Sequence, residues 1–358
     1  MTTTLLVSST AETTGKTATA LALAGLARDR GLSVGYMKPK GTRLESHVGK
    51  TLDRDPMLAR QLLDLDAEVH DLEPVVYSPT FVREALRGRE DPDALRERVH
   101  ERFEALAVDR DLMVVEGGDE LTTGAVVDLT DADVADLLDA EVLLVTEYDE
   151  PGDVDDVLAA AATIGDRLAG VVFNAVESAN FDELETEVVP FLESRDVPVV
   201  GVLPRERDLA GVTVEDLRVE LSAEALTDAP TDAYVERFIV GAMGGDAALG
   251  YFRRTKDAAV ITGGDRSEVL TAALEAPGVK CLVLTGGLRP TSAVLGSAES
   301  KGVPVLLVQG DTLSTIDRAE EVVRSGRTRD EKTVERMREL LYEHANVEAL
   351  LGDGSDEE

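Results

Sequence analysis

A chain of 358 residues exceeds what one ordinary core fills and divides most simply into two domains; 43% apolar residues furnish their interiors, with aromatics at only 4%. Asp plus Glu number 71 against 36 Lys plus Arg, a net of −35 spread along the whole length. No basic stripe exists to meet nucleic-acid phosphates, and no apolar run approaches the about 18 residues of a membrane span.

Disorder would explain the acidity, but disordered chains lack the apolar periodicity found here. A dense carboxylate surface stops repelling itself in molar salt, where screening shortens to about 3 Å, so a halophilic source is expected. The single cysteine, Cys281, lies in an apolar run and reads as core, which excludes an internal disulfide. Residues 1–9 carry no basic leader and read as a strand, so the cytoplasm is the expected compartment.

In chain order, strands are expected over residues 4–8, 33–37, 112–115, 141–146, 170–174 and 197–202. Helices are expected over 16–30, 56–65, 92–107, 154–168 and 180–195. Val/Leu-rich strands without polar alternation suit a parallel sheet buried on both faces, and the alternation with helices predicts a doubly wound α/β domain over residues 1–209. A linker over 210–233 includes a short helix at 214–225. A second, smaller α/β domain follows over 234–328, with strands at 238–242, 258–262, 281–285 and 304–308 and helices at 246–253, 266–274, 292–299 and 312–324. A long amphipathic helix over 329–351 and a polar tail over 352–358 end the sequence.

The strongest chemical signal directly follows the first strand and opens a helix: Thr10-Ala11-Glu12-Thr13-Thr14-Gly15-Lys16-Thr17. Such a loop turns successive backbone N–H groups onto phosphates, and the helix N-terminus adds about half a positive charge. Lys16 is expected to reach the β/γ-phosphates and the Thr17 hydroxyl to complete a Mg²⁺ shell. Thr10 stands where the general pattern has its first glycine. The bland alternative is a chance Gly-Lys-Thr at a helix start.

Lys38-Pro39-Lys40-Gly41-Thr42-Arg43 ends the second strand, on the rim that parallel strands share. Lys16, Lys38, Lys40, Arg43 and Lys50 would gather there, in a chain with no lysine between Lys50 and Lys256. That concentration favours an anion site over a solvated basic turn. Asp53 and Asp55 offer a Mg²⁺ ligand, although Asp55 serves equally well as a cap for a helix with Pro56 at its first position. Glu116, at the end of Val114-Val115-Glu116-Gly117-Gly118, is a further metal ligand or an exposed turn residue, and its glycines would let phosphate approach. Asn174, at a strand end, either meets a base or forms a turn. The four histidines, His47, His70, His100 and His344, show no ligand spacing.

These residues carry a resemblance. Thr10, Gly15-Lys16-Thr17, Lys38-Pro39, Val115-Glu116-Gly117 and Asn174 fall in the order and spacing of dethiobiotin synthetases, which also have Thr at the position of Thr10. The second domain resembles a DRTGG domain through Gly241-Ala242-Met243, Asp265-Arg266 and Thr285-Gly286-Gly287. The pair in this order is similar to the N-terminal regulatory half of long phosphotransacetylases, without the acetyltransferase. Ser9, Lys40 and the run Gly117-Gly118-Asp119-Glu120 depart from the synthetase pattern.

The resemblance implies an ATP and Mg²⁺ site: Thr10, Thr13, Thr14, Gly15, Lys16, Thr17, Lys38, Lys40 and Asn174 on the nucleotide, and Thr17, Asp55 and Glu116 on the metal. Lys16 and Lys38 would be catalytic if ATP is turned over. The expected function is a regulatory nucleotide sensor linked to acyl-CoA and acetate metabolism. The alternatives are an ATP-dependent carboxylate- or carbamate-activating ligase and a dimerisation module with a vestigial loop. Expected partners are the nucleotide, a small anionic ligand on the second domain, further copies of the chain and a protein of acetyl-CoA metabolism.

Overall fold

The computed structural model describes residues 2–42, 44–47, 50–206, 209, 211–241, 244–326 and 331–352. Arg43, Ala242, Met243 and the expected tail beyond Gly352 lie outside them. The chain separates into two compact units, one formed by residues 1–205 together with 328–358, the other by 206–327.

The first unit begins with β1 (Thr3–Ser9), α1 (Lys16–Asp29) and β2 (Val34–Met37). A hairpin of β3 (Leu44–His47) and β4 (Lys50–Asp53) leads into α2 (Arg54–Leu62). Then come α3 (Pro79–Leu86), α4 (Pro92–Ala107), β5 (Leu112–Glu116) and α5 (Asp131–Leu137). β6 (Glu141–Thr146), α6 (Val154–Ile164), β7 (Leu168–Val176), the helical segment α7 over 181–193 and β8 (Val199–Pro204) complete the alternation. The main sheet runs β8-β7-β6-β1-β5-β2 with every neighbour parallel. Strand order reverses at β1, so the loop after β1 sits at the switch point where such sheets bind ligands.

Several elements differ from the sequence expectation for local reasons. Asp53 caps α2 by accepting from the Asp55 N–H, so the helix starts at Arg54 and Pro56 is its third residue. α6 stops at Ile164 because Gly165 takes φ +66, leaving residues from Leu168 free to join the sheet. The segment 181–193 contains a π-helical turn at Leu184–Val188, two residues ahead of Pro190.

In the second unit, α8 (Val214–Glu220) precedes β9 (Glu224–Ala225) and β10 (Arg237–Val240). α9 (Gly245–Phe252), β11 (Ala258–Gly263), α10 (Ser267–Leu274), β12 (Val279–Thr285), α11 (Ser292–Lys301), β13 (Val305–Leu307) and α12 (Thr312–Gly326) follow. Its sheet runs β9-β13-β12-β11-β10, with β9 alone antiparallel. Strand side chains alternate between two cores: Val260, Leu282, Leu284 and Leu307 on one face, Ala259, Ile261, Cys281 and Val283 on the other. Cys281 is a free, fully buried thiol whose burial holds it protonated.

The chain then returns to the first unit. α13 (Glu331–His344) lies along α1, with Arg338 paired to Asp29 at 3.0 Å. α1 needs such a cover: from Lys16 to Ala24 every residue is buried, and only small alanines allow close approach on both sides. The expected single long helix is broken at Ala345 and Asn346. The Asn346 N–H donates to Val200 O at 2.7 Å, and its side chain caps α14 (Val347–Leu351).

Candidate functional site

Lys16, Thr17, Lys38, Asp55 and Glu116 come together at the C-terminal ends of β1, β2 and β5. Register places Val7 of β1 beside Glu116 and Met37 of β2 beside Val115, so the loops after these strands share one rim. The loop after β1 is shaped by two left-handed residues, Thr13 at φ +62 and Gly15 at φ +91. α1 opens at Gly15 with no side-chain cap and no acidic residue in its first turn, which leaves its terminus available to an anion. The buried Thr14 hydroxyl has no hydrogen-bond partner. Thr10 is tied to the end of β6, its hydroxyl 2.8 Å from that of Thr146.

Lys16 is buried and donates to Ser9 Oγ at 3.1 Å and to the Asp119 carbonyl at 3.0 Å. Ser9, a departure from the synthetase pattern, therefore serves as an acceptor for the loop lysine. Thr17 donates to Glu116 Oε1 at 2.7 Å, while Tyr36 donates to Glu116 Oε2 at 2.7 Å. Lys38 lies among three carboxylates: 2.5 Å from Asp55, 2.9 Å from Asp53 and 3.5 Å from Glu116. Burial works to strip Lys38 of its proton, but the three acids outweigh it and hold the ammonium well above its usual range.

Burial pushes Glu116 up to about 7 against the pull of Lys38, with Asp55 adding to the rise. Glu73 is also buried and pushed up to about 7; one oxygen accepts from the Asp53 N–H at 2.8 Å and the other has no partner. Lys38 pulls on both Glu73 and Glu116, and Lys16 pulls on Glu116 as well. No group of three or more His, Cys, Asp or Glu among the described residues forms a complete metal cage. A Mg²⁺ ion arriving on phosphates needs only one or two protein oxygens, and the buried Glu116 carboxylate beside the Thr17 hydroxyl fits it. The unpartnered Thr14 hydroxyl and open helix terminus fit the phosphates themselves.

Lys40 is not brought into this group. Its ammonium is fully buried and donates to Thr123 O at 2.7 Å, Leu129 O at 2.6 Å and Asp131 Oδ1 at 2.9 Å. Asp131 also accepts from Ser8 Oγ at 2.6 Å and from the Gly118 N–H at 2.9 Å. This pair ties the β2 and β5 loops together beneath the rim. A side chain at Gly117 would come within 2.0 Å of Asp131, so that glycine makes room for protein and not for phosphate. Asn174 likewise points inward, donating to Thr14 O at 2.7 Å. Asp131, Tyr36 and Glu73 escaped the sequence reading, and Ser9 entered it only as a departure from a pattern; of the three, only Tyr36 left a signal, as a phenol in a strand buried on both faces, which requires a partner.

In the second unit, a side chain at Gly264 would come within 1.8 Å of Leu288 O, and one at Gly287 within 2.6 Å of the Gln309 side chain. These glycines let neighbouring loops pack together, which weakens the expected anion site at those turns.

A strand, a Gly-Lys-Thr loop and a buried helix at the switch point of a parallel sheet define a P-loop α/β protein. The AAA domain family matches residues 3–213, more than half the chain, and the chain belongs to it; the DRTGG domain matches residues 216–322. A phosphate acetyltransferase of Haemophilus influenzae is 24% identical over 371 residues, covering 94% of this chain and 50% of the relative. One from Synechocystis is 24% identical over 341 residues, covering 89% and 47%. The chain therefore spans about half the length of the curated relatives it matches. The cell-division protein MinD of Aquifex aeolicus covers 58% of this chain and 84% of its own at 14% identity, with a TM-score of 0.36, too loose a match to bear on the site. No helix among the described residues is long and apolar enough to cross a membrane.

Proposed function

We propose that the first unit binds a nucleoside triphosphate, ATP above all, together with Mg²⁺, and that the chain is a regulatory nucleotide sensor serving acetyl-CoA chemistry. The observation that carries this is the buried cluster of Glu116, Asp53 and Asp55 around Lys38, joined through Thr17 to an uncapped helix terminus. Thr17 and Glu116, with Asp55 behind them, would hold the ion, whose charge would stabilise the phosphates. Lys16 would exchange Ser9 and the Asp119 carbonyl for a phosphate oxygen. Lys38 would keep the carboxylates ionised and in place. The similarity to half of each phosphate acetyltransferase supports the metabolic setting.

An ATP-dependent ligase is the second reading, favoured by the presence of both Lys16 and Lys38 at the rim. The sensor is preferred because three acids already hold Lys38. ADP release with a panel of small carboxylic acids and amines tests the choice. A sensor gives no co-substrate-dependent turnover, whereas ATP changes its oligomeric state or its capture of an acetyl-CoA enzyme. Steady ADP production stimulated by one acid or amine would reject the sensor in favour of the ligase.

A further inference from the structure

We infer that Asn174 is a positioning residue that fixes the orientation of the Thr14–Gly15 peptide, so that the loop presents an N–H and not a carbonyl to its anion. The inference rests on the P-loop reading above and changes the part expected of Asn174, which was contact with the base or a place in a turn.

A trans peptide points its C=O and its N–H to opposite sides, and the described residues contain no cis bond. The Asn174 amide donates to Thr14 O at 2.7 Å from the end of β7. With that carbonyl drawn toward β7, the Gly15 N–H must point to the other side of the loop. The side chain is buried, which makes the bond a shielded one.

Gly15 explains why a lock is needed. Its φ of +91 and the 2.3 Å between a Cβ placed there and Asn174 Nδ2 both require glycine. Glycine takes positive and negative φ almost equally, so rotating the Thr14–Gly15 peptide by half a turn is cheap at this residue. Rotation would swing the Thr14 carbonyl into the space meant for a phosphate, where two oxygens repel. Downstream the backbone is already secured: Gly15 O accepts from both the Thr19 N–H and the Thr19 hydroxyl, at 2.9 and 3.0 Å. The peptide before Gly15 is therefore the one whose orientation rests on Asn174.

The test compares wild type with Asn174→Ala and with Asn174→Leu, which keeps the branched shape but cannot donate. Two probes are titrated by calorimetry in molar KCl, Mg·ATP and Mg·tripolyphosphate, the second having no base. Each variant is expected to weaken both probes by the same factor, about threefold to tenfold, the worth of one hydrogen bond. A loss for ATP with tripolyphosphate unchanged would overturn the inference and return Asn174 to the base. Amide hydrogen exchange on the ligand-free proteins keeps the question separate from nucleotide binding itself. Faster exchange confined to residues 14–17, with β8 unchanged, supports the lock even if wild type binds neither probe; identical exchange in wild type and variants would refute it.

Discussion

Replacing Lys38 by Met removes one ammonium from the midst of Asp55, Asp53 and Glu116, at 2.5, 2.9 and 3.5 Å, all of them buried. Methionine fills most of the same volume, so the loss is chiefly of charge. Removing one partner of a buried ion pair costs about 3–5 kcal/mol, a large share of the about 5–15 kcal/mol that holds a domain folded. Protonation relieves part of this. Glu116, pushed up to about 7 even with Lys38 present, takes up a proton readily once the ammonium is gone. The loss should therefore be larger near about pH 8 than near about pH 6. Urea unfolding in molar KCl, followed by circular dichroism, measures it without altering the salt. A loss below about 1 kcal/mol near pH 8, the range of exposed pairs, would refute the reasoning, as would a larger loss at the lower pH.

The wild type should itself respond to pH. Glu116 and Glu73 have folded values near 7 against 4.5 unfolded, so between these the folded state binds more protons and stability falls as pH rises. The fall is at most about 3 kcal/mol per group, and metal-free urea unfolding that shows no fall would contradict it. Glu116→Gln should weaken nucleotide binding about tenfold with Mg²⁺ present and much less without it. Equal losses in both conditions would remove its metal role. Transfer from molar to dilute KCl should lower the melting temperature by about 10 °C or more, since a net charge of −35 then repels unscreened. An unchanged value would contradict adaptation to salt.

Contiguous signals were readable in the sequence, and pairings across the chain were not. β1, its loop and α1 are continuous, so apolar pattern, glycine and lysine together mark the anion site. Glu116 was visible because it ends an apolar strand. The fate of Lys40 was hidden because its partner, Asp131, lies 91 residues away and looks like an ordinary acid in a helix's first turn. Gly117 reads the same whether its empty side faces a ligand or, as here, Asp131. The place of α13 was equally concealed. Its apolar stripe, Val334, Met337, Leu340 and Leu341, shows that it packs on something. Only the all-round burial of α1 reveals what that is.

The central claim is that Lys16, Thr17 and Glu116 form a working Mg·nucleotide site. Calorimetric titration of Mg·ATP into the full chain in molar KCl, beside the Lys16→Ala variant, measures it directly. Saturable binding by wild type that the variant loses is the predicted result. No binding by wild type, or equal binding by both, would contradict the claim.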